Sequence, residues 1–218
     1  MDEREPAAAD GLDVVLLAGG SGTRLGGQDK AELIVGGQRL IDRAIAAVSP
    51  VHAAGQTLVV VGPRRPLDPP QAGGIHWTRE TPAGGGPLAA LAAGLRLVRA
   101  PLVAVLAVDL PFVSWPGVQR LMTVALAQPS AAGALYVDAT GQDQLLFGVW
   151  RTAWLRAALP GHPDGKPMRL LAGPDVLRVD AADEVEVFDC DTEPDLDQAR
   201  RVAAFGREAA VRGAGGAP

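Results

Sequence analysis

Along the chain, short uninterrupted apolar runs alternate with longer stretches in which apolar residues recur every three or four positions. The run at 13–18 (DVVLLA) leads straight into glycines, the pattern of a parallel strand buried on both faces. The β-branched run at 57–61 (TLVVV) predicts a second strand, 75–80 a third, and 102–109 (LVAVLAVD) the most strongly patterned one, ending on a carboxylate. Leu40, Ile41, Ala44, Ile45 and Val48 fall at helical spacing, and Pro50 is expected to close that helix. Further helices are predicted at 87–98, entered through a glycine-rich turn, and at 115–127, with Pro116 in its first turn. The last spans 194–205, with Pro194 in the opening turn and Asp191 or Thr192 as its cap. Strands at 134–137 and 145–151 are joined by the polar turn Thr140-Gly141-Gln142-Asp143. Such alternation predicts an α/β fold: three layers built on a doubly wound, mostly parallel sheet with a small antiparallel addition. No repeat or heptad interrupts it.

Length and composition narrow the class. The 218 residues, 48% apolar and 21% charged, suit one domain with a sizeable core, expected at 11–206. The segments 1–10, acidic and alanine-rich, and 207–218, ending in Gly-Ala-Pro, are expected to be flexible tails. A net charge of −5 argues against wrapping a nucleic-acid backbone, while leaving room for a local basic site that takes a small anion. One cysteine, Cys190, excludes an internal disulfide and an all-cysteine metal site, and reads as a small buried apolar residue. The opening ten residues lack an apolar signal core and nothing approaches a membrane span, so a cytoplasmic protein with no membrane or nucleic-acid partner is expected.

Chemistry concentrates first in 17–30, LAGGSGTRLGGQDK, directly after the first strand. Leu17, Ala18, Gly19 and Gly20 open a loop whose glycines let backbone N–H groups approach phosphate oxygens, and Arg24 and Lys30 add two cations to it. Arg24 can fork onto one phosphate, Lys30 acts as a point charge on another. The loop fits neither familiar phosphate pattern. Lys30 follows Asp29 and precedes Ala31, not Ser or Thr, and Leu25 stands where a dinucleotide fingerprint needs its third glycine. A second cluster, Gly84-Gly85-Gly86-Pro87-Leu88, opens the helix at Pro87, with Glu80 upstream. A third, Val108-Asp109-Leu110-Pro111-Phe112, places a carboxylate at the end of a buried strand, where ligands of open α/β sheets collect. Asp109 there can hold Mg²⁺, or can cap the next helix.

These segments together resemble the molybdenum cofactor guanylyltransferases, a branch of the nucleotide-sugar-type nucleotidyltransferases. Gly26-Gly27-Gln28-Asp29-Lys30 carries the narrower part of the likeness, and the leading glycines, Arg24 and Lys30 the wider part. The resemblance implies a Rossmann-like nucleotidyltransferase fold and a Mg²⁺-dependent transfer of GMP from GTP (or a related nucleoside triphosphate) to the phosphate of molybdopterin, releasing pyrophosphate. It implies that the loop cradles the triphosphate with Arg24 and Lys30 on phosphates, that Gly86 lies in the turn beside the base, and that Asp109 holds the metal. Glu80, where an aspartate is more usual in the family, is implied as acceptor for guanine N1–H and N2–H; the alternative is a solvated side chain beside an ordinary helix entry. Phe188-Asp189-Cys190-Asp191-Thr192-Glu193-Pro194 resembles the family's closing Asn-x-Asn-Thr-Pro segment, with Asp189 and Asp191 in place of Asn. Those two either join the metal shell or cap the last helix. Protein partners that deliver the pterin or receive the product are also implied.

One stretch departs from the family. Asp143-Gln144-Leu145-Leu146 replaces the usual His-Pro pair that faces the pterin, and neither His52, His76 nor His162 substitutes by position. The basic turn Gly165-Lys166-Pro167-Met168-Arg169, expected to meet the pterin's phosphate, is kept. Two rival readings stay open at the level of sequence: a cytidylyl- or sugar-phosphate nucleotidyltransferase of the same fold, and a non-catalytic nucleotide-binding regulatory protein.

Overall fold

The computed structural model describes residues 11–20, 25–53, 55–70, 74–161 and 163–214, with backbone alone at 52–53 and 206–214. In chain order its elements are β1 (Leu12–Leu17), β2 (Ile34–Val35), β3 (Gln38–Arg39), α1 (Leu40–Ala47), α2 (Pro50–Ala53), β4 (Leu58–Val61), β5 (Ile75–Thr78) and α3 (Pro87–Leu95). There follow β6 (Leu102–Ala107), α4 (Trp115–Ala127), β7 (Gly133–Val137), β8 (Asp143–Arg151), α5 (Thr152–Ala158), β9 (Val176–Asp180) and α6 (Glu193–Ala214). Seven strands form one sheet in the order β5-β4-β1-β6-β8-β7-β9, and β2 and β3 pair as a separate antiparallel hairpin. The pairs from β5 to β6 are parallel, β8 runs antiparallel to both its neighbours, and β9 is parallel to β7. The mostly parallel α/β sheet with a small antiparallel addition is thus the observed architecture.

The uninterrupted apolar runs become the central strands because both faces are covered. Leu12, Val14 and Leu16 of β1 pack into one core with α1, α4 and α6, whereas Val15 and Leu17 pack into a second core with α3. Helix α3 lies close on the sheet: a Cβ on Gly94 would stand 2.7 Å from a Val15 methyl, so only glycine allows this approach. At the amino ends of the strands, buried Asp13 accepts from the N–H groups of Thr57, Arg99 and Ala100 at 2.8, 2.6 and 2.9 Å, tying the starts of β1, β4 and β6 together.

Three local expectations change. Pro50 does not end the first helix: α1 stops at Ala47, and Pro50 opens the short helix α2, where a missing N–H costs nothing. Strand β6 ends at Ala107, two residues before Asp109. Helix α6 runs on to Ala214, beyond the 205 expected from apolar spacing. Among the described residues no helix is long and apolar enough to cross a membrane.

Candidate active site

The carboxyl ends of β1, β4 and β6 are locked together by backbone bonds. Ala18 N–H donates to Val61 O at 2.8 Å, and Val108 N–H donates to Leu17 O at 3.0 Å. Gly62, directly after β4, lies so close under the loop that a Cβ there would stand 2.6 Å from the Ala18 carbonyl oxygen. A cleft of about 280 Å³ opens above these ends, lined by Leu17, Gly19, Gly20, Lys30, Glu80, Gly84, Gly86, Pro87, Asp109 and Leu146 among others. Eight of the sequence-predicted positions are thereby accounted for: Leu17, Gly19, Gly20, Lys30, Glu80, Gly86 and Asp109 face one cavity, and Ala18 is buried just beneath it. Arg24 lies outside the described residues.

Lys30 arrives through a tight turn. Asp29 caps the 3-10 turn Lys30–Glu32 by accepting the Ala31 N–H at 3.1 Å, which projects Lys30 back toward β6. Its ammonium donates to Asp109 Oδ2 at 2.7 Å and to Asp191 Oδ1. Burial disfavours the charge on Lys30, but the Asp109 carboxylate, followed by that of Asp191, outweighs it and leaves the lysine pKa above its ordinary value. Asp109 is free for this because Ser114, not Asp109, caps α4: its Oγ accepts the Gly117 N–H at 3.1 Å.

The closing segment joins the same place through its backbone, Cys190 N–H donating to Asp109 O at 2.9 Å. Thr192, not Asp191, caps α6. Thr192 N–H and Oγ1 both donate to Asp195 Oδ2, at 2.8 and 2.7 Å, and the Asp195 N–H returns a bond to Thr192 Oγ1 at 3.4 Å, a capping box with aspartate in the third position. Asp191 therefore points its carboxylate at Lys30. Burial, then the carboxylates of Asp191 and Asp109, push the pKa of Asp189 up. Cys190 is fully buried, and burial with the Asp109 charge pushes its thiol up to about 12, which keeps it protonated and unreactive.

Among the described residues no three His, Cys, Asp or Glu side chains gather into a metal cage. Two carboxylates, Asp109 and Asp191, nevertheless converge on one cationic point, the Lys30 ammonium. That donor set fits Mg²⁺, which takes one or two carboxylates and completes its shell with phosphate oxygens and water.

On the other side of the cleft, Gly86 forms the amino-terminal cap of α3 with Pro87 in its first turn. Glu80 is only 9% exposed, and its Oε1 accepts the Gly84 N–H at 2.9 Å; it is not a solvated side chain. The basic turn at 165–169 reaches this wall through a backbone bond from Gly165 N–H to Gly85 O at 2.8 Å. Of the four residues standing in the His-Pro position, Asp143 is held by Arg178 at 2.8 Å and Gln144 by Asp138 at 3.1 Å, while Leu146 faces the cleft.

Sequence reasoning overlooked Arg65. It sits just past Gly62 and binds both Ala18 and Asp29, the two flanks of the glycine loop. The available signal was a pair of arginines, Arg64 and Arg65, in the Gly62-Pro63 turn that leaves a buried strand.

An open α/β sheet with a glycine loop, a lysine and two carboxylates gathered at its carboxyl edge is the arrangement a nucleotidyltransferase needs to hold a nucleoside triphosphate. The family model of the MobA-like NTP transferase domain matches residues 14–182, and the chain belongs to that family. A relative from Acidiphilium cryptum named molybdenum cofactor guanylyltransferase is 34% identical over 199 residues, which are 86% of this chain and 93% of that one. One of the same name from Pseudomonas putida is 35% identical over 128 residues, 58% of this chain and just under two thirds (65%) of that relative. A nucleotidyl transferase from Methanothermobacter thermautotrophicus superposes with a TM-score of 0.69 at 19% identity, covering 89% of this chain and 98% of that one, a likeness of fold.

Proposed function

We propose that this protein transfers GMP from GTP to the phosphate of molybdopterin and releases pyrophosphate. The observation that carries the proposal is the meeting, in one cleft, of Gly19, Gly20, Lys30, Asp109 and Glu80. The N–H groups of the loop bind the phosphate chain, and Lys30, with Arg24, offsets the charge that develops on the departing pyrophosphate. Such a displacement needs positioning and charge neutralisation more than covalent help from the protein. No general base is required, because the acceptor is a phosphate already ionised at neutral pH. Asp109, with Asp191 and Asp189 beside it, would hold Mg²⁺, which would supply positive charge to the phosphate oxygens. Glu80, oriented by the Gly84 N–H, accepts the N1–H and N2–H of guanine, and cytosine offers no matching donor pair. The basic turn at 165–169, hung on the Gly85 carbonyl, receives the acceptor's phosphate. Residues 11–206 act as one domain, with α6 running on past its end to Ala214, and the single buried cysteine suits a cytoplasmic setting.

A thermal titration with GTP, CTP, UTP and ATP in the presence of Mg²⁺ tests the base, and pyrophosphate release with molybdopterin tests the acceptor. GTP at 100 times its Kd is expected to add about 2.7 kcal/mol of stability, with the other three far behind. Stabilisation by CTP in preference to GTP would favour the cytidylyltransferase reading, and binding without release from any acceptor the regulatory one.

A further inference from the structure

We propose that Arg65 is a positioning residue that clamps the two flanks of the nucleotide loop and thereby sets Lys30, an inference that rests on the proposed function. Its side chain is 7% exposed and folds back beneath the loop. Nη1 donates to Pro63 O at 2.8 Å and to Ala18 O at 3.3 Å, the point where β1 gives way to the loop. Nε donates to Asp29 Oδ2 at 3.1 Å, joined by Nη2, and Glu32 Oε1 lies 3.2 Å from Nε. Asp29 uses its other oxygen, Oδ1, to cap the turn that begins with Lys30. One guanidinium therefore spans the loop's entry and exit.

Chemistry explains why arginine stands there. Holding a carbonyl on one edge and a carboxylate on the other needs a planar fork; an ammonium has one point of charge and cannot reach both. The pair with Asp29 adds little to global stability, since the Asp29 side chain is 42% exposed and such pairs are screened by water. What it fixes is direction. With Arg65 in place, Asp29 is pinned from below, and Lys30, the next residue, leaves the turn toward Asp109. Without it, Asp29 is free to solvate and the lysine loses its fixed origin. Loss of that origin matters, because a misplacement of about 1 Å at a transferring group costs up to about a hundredfold in rate.

The test combines kinetics with a readout that needs no turnover. Arg65→Ala, Arg65→Lys, Lys30→Ala and the double variant Arg65→Ala/Lys30→Ala are compared for kcat and KM with GTP, for melting temperature, and for amide exchange over residues 25–33 of the free protein. Arg65→Ala is expected to lower kcat/KM for GTP by roughly tenfold to a hundredfold with a modest drop in melting, to speed exchange in 25–33, and to cost almost nothing further in kcat/KM once Lys30 is gone. Arg65→Lys is expected to recover only a small part of the loss. Full additivity with Lys30→Ala, or unchanged exchange in 25–33, would overturn the positioning role. If the unmodified protein releases no pyrophosphate while Arg65→Ala still speeds that exchange, the proposed function fails and the clamp stands.

Discussion

The two halves of the sheet meet the cleft in different ways. The parallel half, β5, β4, β1 and β6, delivers charge: its carboxyl ends carry the glycine loop, Arg65, Glu80 and Asp109, each held by a named hydrogen bond or ion pair. The half beyond β6 adds one apolar side chain to the lining. β8 presents Leu146, and its neighbours Asp143 and Gln144 are engaged with Arg178 and Asp138. On the proposed function, the triphosphate and the acceptor are then recognised by different means: ionic geometry built into the strand ends for the first, and a basic turn hung on a single backbone bond for the second.

If the charge on the parallel half is what the chemistry uses, its removal gives the largest effect. Lys30→Ala and Asp109→Ala are each expected to lower turnover by about a hundredfold to a thousandfold, measured as pyrophosphate release. Both variants are expected to stay folded with a lowered melting temperature, because the pair they break is largely buried. Near-normal turnover from either would level the two halves of the sheet. Next in size is Gly62→Ala. A methyl 2.6 Å from the Ala18 carbonyl forces the ends of β1 and β4 apart, with an expected loss of about 1–3 kcal/mol in thermal or urea unfolding. The smallest effect sits among the crowded carboxylates. Asp189 has a folded-state pKa raised by burial and by Asp191 and Asp109, so its native form holds a proton more tightly than the unfolded chain does. Stability therefore falls as pH rises from the ordinary carboxylate range through that raised value. In chelator-containing buffer Asp189→Asn is expected to raise the melting temperature at neutral pH by less than Gly62→Ala lowers it. The gain should vanish in acid, where the carboxyl is protonated in both states.

What the sequence disclosed follows the same division. β1, β4 and β6 are legible because burial on both faces leaves an unbroken apolar run, and Asp109 stands out as the carboxylate that ends one. The hairpin β2–β3 has two residues per strand, too few for any period to register. β9 alternates as an edge strand with Arg178 and Asp180 exposed to solvent, and α5 follows β8 without a break, so neither announces itself. At the site, Lys30 and Asp109 drew attention through a glycine cluster and a strand end, and Glu80 only through the family resemblance. The choice between Asp191 and Thr192 as helix cap was decided by Asp195, whose carboxylate completes the box with Thr192 and frees Asp191 for Lys30. Arg65 was hidden because its partner Asp29 lies 36 residues earlier, a distance only the packing of β4 against β1 closes.

The most direct test is a crystal structure of the protein with GTP and Mg²⁺. The phosphates are expected against the N–H groups of Gly19 and Gly20, with Lys30 within hydrogen-bonding reach of them, Asp109 on the metal and the guanine edge on Glu80. A triphosphate bound away from this cleft, or Asp109 turned from the ion, would contradict the proposed function.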